Sequence, residues 1–464
     1  MNVKNILDLT SAHAIRYLES VNSRPIATTA SLEELRSRLT KPLPDGPMAS
    51  ESVINELIQD AEGGILGSTS SRFFGWVMGG TLPVALAADW LTSTWDQNGA
   101  SNVASPAEAV VEEVCGDWAK QLLGIPSSAS FAFVTGCQGA HTTAFAAARH
   151  KLLKDRGWNV EENGLSQAPQ LRILTTENRH DSIIRAVRLL GIGSQAIQYV
   201  ATDTLGRMDA TALENILRMS ADIPTIISLQ AGDLHTGIFD PFAEVCSIAH
   251  AYNAWVHVDG AFGLWVATSQ KYCHLLNGAE NADSWATDGH KWLNLPFDSG
   301  FVFVADPSAH RAVFAQNTHY STPVEELRNQ KDWNPEWSRR GRGFTAYAAI
   351  RALGHSGIAE MVERCCTLAD RLTTGIGNLD GAKMVAKPII NQGMVRFLST
   401  DGDHDRKTDD IIKRIQKKGV AWFGPSTWRE MRVMRISVCN WMTTEHDIDE
   451  TIQSVREAIH EASV

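Results

Sequence analysis

The chain has 464 residues and a formal net charge of −11, with 44% hydrophobic and 20% charged residues. This composition is typical of a folded globular protein and excludes disorder as the main state. The acidic balance contains no block of lysine and arginine, which argues against a dedicated nucleic-acid-binding protein. Small-molecule chemistry is therefore the favoured class of function.

The N-terminal residues 1–85 favour helices and loops. Val3, Leu7 and Leu18 recur at helical spacing without a continuous apolar core, which indicates an amphipathic helix rather than a signal peptide. A proline- and glycine-rich break at residues 41–47 cannot continue a helix. We expect residues 1–85 to form an arm rather than a folded core.

From residue 131 onward, apolar strand-like runs alternate with helical stretches. This alternation predicts an α/β fold with a mostly parallel central sheet, here assigned to a large domain over residues 86–350. Residues 351–464 alternate helix and strand over a shorter length, which predicts a small C-terminal α+β domain. The predicted strands of the large domain are Phe131–Thr135, Leu171–Thr175, Thr225–Leu229, Ala254–Val258, Ser284–Thr287 and Phe301–Val304.

The location of the protein follows from its thiols and its hydropathy. Its seven cysteines have no paired zinc-ligand spacing, which favours reduced thiols in the cytoplasm and no metal site. The most apolar stretch, residues 73–91, is interrupted by glycine, proline and aspartate and is poor material for a bilayer span. We expect a cytoplasmic protein that binds neither membrane nor nucleic acid.

Lys291 comes just beyond the predicted strand Ser284–Thr287, at the edge of the sheet where α/β proteins hold ligands. Partial desolvation there would lower the pKa of the lysine and free a neutral amine for a Schiff base with an aldehyde cofactor. Taken alone the signal is weak, because most lysines are surface charges.

Asp259 directly follows the apolar strand Ala254–Val258, which comes before the strand that leads to Lys291. A carboxylate at that position can pair with a pyridinium nitrogen and keep it protonated, so that the ring draws electrons from a carbanion at the substrate Cα. The alternative is a strand-end aspartate that caps a turn.

Two strand-to-helix turns supply further candidates. The small residues after the strand Phe131–Thr135 can aim backbone N–H groups at a phosphate, although such turns also occur for packing alone. His180 follows the strand Leu171–Thr175, where its imidazole would either stack on a cofactor ring or serve as an ordinary helix cap. The predicted phosphate cup consists of Gly136, Cys137, Gln138, Gly139 and Ala140.

Several longer segments carry a family resemblance. The most specific are His257-Val-Asp-Gly-Ala261 and Asp288-Gly-His-Lys-Trp292. The chain resembles the group II pyridoxal-5′-phosphate (PLP)-dependent amino acid decarboxylases, which include aromatic-L-amino-acid and glutamate decarboxylases. The resemblance implies the type I fold of PLP-dependent transferases, similar to aspartate aminotransferase, with PLP as cofactor. Its other segments are Arg72-Phe-Phe-Gly-Trp-Val77, Ser105-Pro-Ala-Glu108, Ala231-Gly-Asp-Leu-His-Thr-Gly-Ile-Phe-Asp-Pro241, Ser338-Arg-Arg-Gly-Arg342 and Arg435-Ile-Ser-Val-Cys-Asn440.

By this resemblance Lys291 forms the Schiff base with PLP, Asp259 pairs with its ring nitrogen and His180 stacks on its ring. The arm of residues 1–85 would exchange with a second subunit, which implies a homodimer. The further cofactor contacts that the resemblance implies are Gly136, Cys137, Gln138, Ala261 and His290.

The chain departs from the family in three places. The loop at residues 325–335 lacks the tyrosine that protonates the substrate carbon in animal aromatic decarboxylases, and the nearest candidate is Tyr320, whose alternative is simple packing. Asp233 stands where many members have a threonine-rich segment, so an acidic group could sit near the cofactor. The entry segment Trp76–Gly80 also differs, so no substrate specificity carries over.

Three residues are candidate substrate contacts. Phe74 and Trp76 could wall an aromatic side chain, although aromatic residues at a subunit seam are equally typical of packing. Arg342 could meet a substrate carboxylate, with ion pairing inside the fold as the alternative.

These residues predict a decarboxylase that releases CO2 from the α-carboxylate of an aromatic or other L-amino acid to give the amine. Its expected catalytic residues are Lys291, His180, Asp259 and Tyr320. The alternative on the same scaffold is an aminotransferase or an oxidative aldehyde-forming enzyme, since the orientation of the bound substrate decides which bond breaks. A non-catalytic sensor would need a DNA-binding domain, and residues 1–85 contain no basic recognition helix.

Overall fold

The computed structural model describes residues 3–316 and 327–462, and the chain divides into two units. The larger unit comprises Thr81–Thr367 and Pro388–Gln392. The smaller unit comprises Met1–Gly80, Leu368–Lys387 and Gly393–Val464. The division into three consecutive domains, at residues 85 and 350, stays a prediction.

The helices and strands of the described residues are named here in chain order. The helices are α1 (Val3–Ser20), α2 (Leu32–Leu39), α3 (Ser50–Ala61), α4 (Pro83–Trp95), α5 (Pro106–Leu123), α6 (Cys137–Lys154), α7 (Val160–Asn163), α8 (Asp181–Leu189), α9 (Ala210–Met219), α10 (Phe242–Ala251), α11 (Pro307–Phe314), α12 (Gly343–Gly377), α13 (His404–Lys418) and α14 (Glu445–Glu461). The strands are β1 (Ser130–Val134), β2 (Arg172–Thr175), β3 (Ile197–Tyr199), β4 (Thr225–Gln230), β5 (Trp255–Asp259), β6 (Ser284–Asp288), β7 (Gly300–Val304), β8 (Ala382–Ala386), β9 (Gln392–Phe397), β10 (Gly424–Trp428) and β11 (Met431–Ser437).

The larger unit is built on a seven-stranded sheet with the order β1-β7-β6-β5-β4-β2-β3. Strand β7 runs antiparallel to both of its neighbours, and every other pairing is parallel. The expected α/β fold with a mostly parallel sheet is therefore confirmed, with β7 as the reversed strand. Because the other six strands share one direction, the chain leaves β1, β2, β5 and β6 at the same edge.

Helix α6 packs closely on this sheet because its buried face is made of small side chains. Ala140, Ala144, Ala147 and Ala148 are each fully buried there. Small side chains let a helix axis approach its neighbours, which brings the first turn of α6 against the ends of the strands.

The smaller unit contains a four-stranded antiparallel sheet with the order β10-β11-β9-β8. Its N-terminal helices α1, α2 and α3 contain no buried residue. The segment that follows them packs against the C-terminal part of the chain, where the Phe73 ring stacks on Trp422 at a centroid distance of 5.0 Å and Phe74 on Phe423 at 5.3 Å. The N-terminal and C-terminal segments therefore form one packed body.

All seven cysteines are unpaired, as the sequence predicts. Within the two described ranges, no helix combines the length and the hydrophobicity that crossing a membrane requires.

Candidate active site

Four connections meet at one edge of the large sheet: the β1–α6 and β2–α8 turns, the end of β5 and the turn after β6. They bring together the predicted cup at residues 136–140, Asp259 and Lys291, and deliver His180 to the same edge. The convergence follows from strand direction, because parallel strands end at a common edge.

Asp288 is the organising residue of this edge. It is 3% exposed, and its Oδ2 lies 3.2 Å from Lys291 Nζ and 3.6 Å from His290 Nε2. Its Oδ1 accepts the Cys137 N–H at 2.7 Å. Sequence reasoning did not select Asp288 as a site residue, although its position at the end of β6 beside Lys291 was an available signal.

The charge state of Lys291 differs from the expectation. Burial acts to lower the pKa of Lys291, but the carboxylates of Asp288 and Asp259 outweigh it, and the pKa lies above its ordinary value. The prediction of a lysine whose pKa is lowered by desolvation is therefore wrong for the free protein. Lys291 is held as an ammonium ion by its ion pair with Asp288.

The N terminus of α6 presents backbone donors. The Ala140 N–H donates to Gly136 O, and the Cys137 N–H is taken by Asp288. Among the described residues, the N–H groups of Gln138 and Gly139 have no partner, so they are available to an anion at the positive end of the helix.

A close approach explains the glycine at position 136. A Cβ there would lie 3.1 Å from His290 Cε1 and 3.3 Å from Asp288 Oδ1. The Gln138 side chain turns back along the helix and donates from Nε2 to Thr142 Oγ1 at 3.4 Å.

Asp259 is 7% exposed and has a polar neighbour at each oxygen. Its Oδ1 accepts the Ala261 N–H at 3.2 Å, and its Oδ2 lies 3.5 Å from His141 Nε2. His141 is fully buried, and its Nε2 has no hydrogen-bond partner among the described residues. Sequence reasoning missed His141, which lies one turn beyond Cys137 on α6.

Cys137, His141 and Asp259 bring a thiol, an imidazole and a carboxylate within 4.8 Å of one another. Burial raises the pKa of the Cys137 thiol well above its ordinary value, and the carboxylates of Asp288 and Asp259 raise it further. The thiol therefore stays protonated, and the cluster belongs to the same edge as Lys291.

His180 and His290, the two histidines predicted to contact the cofactor, have different environments. His180 is exposed, and its Nδ1 accepts the Ser182 N–H at 3.2 Å, so it caps helix α8. His290 packs its ring on Phe297 at a centroid distance of 4.4 Å and accepts the Ser299 N–H on Nδ1. Burial lowers the pKa of His290, which keeps its imidazole neutral.

Asp233 organises the loop after β4. Its Oδ1 accepts the N–H groups of His235 and Thr236 at 2.9 and 2.7 Å, and the Thr236 hydroxyl at 2.8 Å. The carboxylate is 3% exposed, so its first function is to close this turn. Its influence on a cofactor stays a prediction.

The three candidate substrate contacts, Phe74, Trp76 and Arg342, have other partners within the protein. Phe74 is 1% exposed, whereas Trp76 is 51% exposed and lies 4.7 Å from the Trp422 ring. Both belong to the smaller unit. Arg342 is buried and pairs with Asp298 at 2.6 Å and Glu336 at 2.7 Å, which favours its structural alternative. Tyr320 lies outside the described residues.

Residues 33–398 match the family described as the pyridoxal-dependent decarboxylase conserved domain. The chain belongs to this decarboxylase family. It is a PLP-dependent amino acid decarboxylase, a carboxy-lyase, and the aminotransferase or aldehyde-forming alternative is not favoured.

The decarboxylase is similar to several known proteins. It is 24% identical over 461 residues to an aromatic-L-amino-acid decarboxylase of Bacillus atrophaeus, covering 97% of this chain and 94% of the relative. It is 27% identical over 408 residues to an acidic amino acid decarboxylase of Xenopus tropicalis, covering 83% and 78%. The solved structure of Oryza sativa TDC with PLP and tryptamine superposes with a TM-score of 0.92 at 22% identity, over 99% of this chain and 98% of that one. The expected type I fold is confirmed.

The residues of the decarboxylase fit PLP. The cofactor needs a lysine for its aldehyde, a carboxylate for its ring nitrogen and donors for its phosphate. Lys291, Asp259 and the free N–H groups at the start of α6 offer these three at one sheet edge. The buried His141 Nε2 without a hydrogen-bond partner is a polar atom of the same site.

Proposed function

We propose that this enzyme releases CO2 from the α-carboxylate of an L-amino acid, with Lys291 holding PLP, Asp259 facing its ring nitrogen and His180 against its ring. The observation that carries the proposal is the ion pair of Lys291 with Asp288, beside Asp259 and the first turn of α6. When bound, PLP supplies a ring that accepts the electrons left on the substrate Cα as CO2 departs.

The phosphate is proposed to bind at the N–H groups of Gln138 and Gly139. A phosphate at that point is favoured by the helix dipole and by these two N–H groups without a partner. The Cys137 thiol and the neutral His290 line this side without adding a negative charge.

Proton transfer is proposed to depend on Lys291 and Tyr320. When Lys291 is not bound to the cofactor, its Nζ would lie within reach of Asp288, which favours the ammonium form. The Lys291 ammonium would then be able to donate the proton that replaces CO2 at the substrate Cα, and Tyr320 is the second candidate donor.

We infer a homodimer from the surface of the smaller unit. Helix α1 exposes a row of apolar side chains at helical spacing: Val3, Leu7, Ile15 and Leu18 are between 44% and 63% exposed. Apolar surface of this kind is typical of an interface with a second subunit. The seven free thiols support a cytoplasmic location.

The substrate is best identified with a panel of aromatic, acidic and basic L-amino acids. The PLP-loaded enzyme is incubated with each, and CO2, amine, aldehyde and keto acid are measured separately. We expect CO2 and amine in equal amounts from at least one of them. Keto acid without CO2 from every substrate would contradict the proposal and favour transamination.

A further inference from the structure

A chain of buried polar side chains runs from Asp259 into the core of the larger unit. His141 Nδ1 lies 2.9 Å from His257 Nε2, and His257 Nδ1 lies 2.9 Å from Ser284 Oγ. The Trp255 indole N–H donates to the same Ser284 oxygen at 2.9 Å. Both imidazoles and the serine are fully buried, so each of their polar atoms needs a partner within the protein.

Both histidines are neutral. Burial lowers the pKa of His141 to about 3, and it lowers that of His257 well below its ordinary value. The other titratable groups that act on His141 are Asp288, His180 and Lys291, and Asp259 also acts on His257. A neutral imidazole carries one N–H and one acceptor nitrogen, so each ring has two alternative tautomers.

Trp255 and Ser284, which lie farthest from Asp259 in this series of hydrogen bonds, select one tautomer of each histidine. An indole N–H can only donate, so Ser284 Oγ accepts from Trp255. The other partner of Ser284 Oγ among the described residues is His257 Nδ1, so the serine O–H finds an acceptor only if this nitrogen is unprotonated. His257 then carries its proton on Nε2 and donates to His141 Nδ1.

This order leaves the His141 proton on Nε2, facing Asp259 Oδ2 at 3.5 Å. The reverse order would leave the Ser284 O–H without an acceptor and would turn an imidazole lone pair toward the carboxylate. Both consequences cost free energy in a buried site. Each hydrogen bond from Ser284 to His141 therefore has its donor on the Trp255 side and its acceptor on the Asp259 side.

We propose that His141 is a positioning residue that presents an N–H to Asp259 and so holds this carboxylate oriented toward the cofactor's ring nitrogen. The inference rests on the proposed role of Asp259. Because Ala261 already donates to Oδ1, His141 serves the second oxygen. A polar neighbour at each oxygen restrains the rotation of a buried carboxylate.

The test compares two ligands of the cofactor-free protein: PLP and its 1-deaza analogue, in which carbon replaces the ring nitrogen. Their affinities are measured by competitive equilibrium dialysis. The ratio of the two affinities reports the contact between Asp259 and the ring nitrogen, while general damage to the site weakens both ligands alike. We expect His141→Leu to lower the ratio by roughly tenfold, because Asp259 loses the group that orients its second oxygen.

Further variants keep the test decisive if His141→Leu does not fold. His141→Gln offers an amide oxygen to His257 and an NH2 group to Asp259, so it should restore most of the ratio. Ser284→Ala removes the first O–H of the chain and should lower the ratio less than His141→Leu. The control is His150→Leu on the same helix, because His150 is buried and pairs with Glu161 instead. It should leave the ratio unchanged.

The outcomes separate this inference from the proposed function. If Asp259→Asn abolishes the preference for PLP and His141→Leu weakens both ligands equally, the inference about His141 is wrong and the role of Asp259 stands. If Asp259→Asn leaves the ratio unchanged, the proposed role of Asp259 fails, and the inference fails with it. Nitrogen-15 spectra provide a readout without ligand, and a proton on Nδ1 of His141 at neutral pH would overturn the proposal.

Discussion

Lys291 and Asp288 form a buried ion pair with 3.2 Å between Nζ and Oδ2. The ion pair stabilises the charged form of Lys291 in the cofactor-free protein. Attack on an aldehyde, however, needs the neutral amine. Attachment of the cofactor therefore includes loss of a proton from this pair.

Replacing Asp288 should change the pH dependence of cofactor attachment. Asp288→Asn keeps an oxygen for the Cys137 N–H but removes the carboxylate that raises the pKa of Lys291. The neutral amine then forms at lower pH, so the midpoint of the attachment rate against pH should move downward. Stopped-flow absorbance of PLP mixed with cofactor-free protein measures it. An unchanged midpoint would contradict the ion pair.

Removing the amine itself should abolish the covalent linkage. Lys291→Ala should yield no borohydride-reducible adduct in peptide maps, and its decarboxylation rate should fall by at least roughly a hundredfold. The control Lys154→Ala changes an exposed lysine on α6 and should behave like the unmodified enzyme. A full-occupancy adduct on another lysine would show that the assignment is wrong.

A third prediction concerns stability. Burial and the neighbouring Glu112 raise the pKa of Glu108 to about 8, and its Oε1 accepts the Gly343 N–H. Because the folded state holds this proton and the unfolded state releases it near the ordinary value of 4.5, stability should fall as pH rises between these values.

Glu108→Gln should remove that slope while it preserves the acceptor for Gly343. The check is the urea midpoint of the cofactor-free protein at several pH values from 5 to 8, a range within the interval expected for this carboxyl. The control Glu214→Gln, at an exposed position on α9, should retain the slope. Parallel pH curves for Glu108→Gln and the unmodified protein would refute the assignment.

The loop tyrosine can be tested by its products. If Tyr320 donates the proton to Cα, Tyr320→Phe should slow amine formation by roughly a hundredfold and increase aldehyde or keto acid, because an unprotonated carbon survives longer. Product ratios by chromatography decide it. Unchanged ratios would assign Tyr320 to packing and leave Lys291 as the donor.

Subunit association should depend on the apolar row of α1. Leu7→Glu combined with Leu18→Glu places two charges on that row and should weaken association by at least roughly tenfold. The control Arg16→Glu changes an exposed charged position of the same helix. Light scattering at micromolar concentration measures the mass, and an active monomer of the unmodified enzyme would contradict the dimer.

The sequence predicted the strands at the site edge well, because β1, β2, β4, β5 and β6 each contain bulky apolar side chains and are buried along their whole length. It gave weaker signals elsewhere. Strand β3 is short and partly exposed, and β10 contains glycine and proline. The reversal of β7 was derivable, since the connection from Asp288 to Gly300 is too short for a helical crossover.

The site was predicted in its motifs but not in its supporting contacts. Lys291 and Asp259 come at strand ends, where position alone indicates a shared edge. His141 was not predictable as their neighbour, because its partner His257 lies 116 residues away and the meeting depends on how α6 packs on β5. The alternation of side chains along β5 was the available clue, since it directs His257 and Asp259 to the same face.

The stacking of Phe73 on Trp422 also has a consequence for synthesis of the chain on the ribosome. The N-terminal segment of the smaller unit is made early, whereas Trp422 and Phe423 emerge only when translation is nearly complete. Until then Phe73 and Phe74 lack the aromatic rings that cover them. A nascent chain therefore carries exposed aromatic surface through most of its synthesis, and a chain truncated before residue 422 retains it permanently.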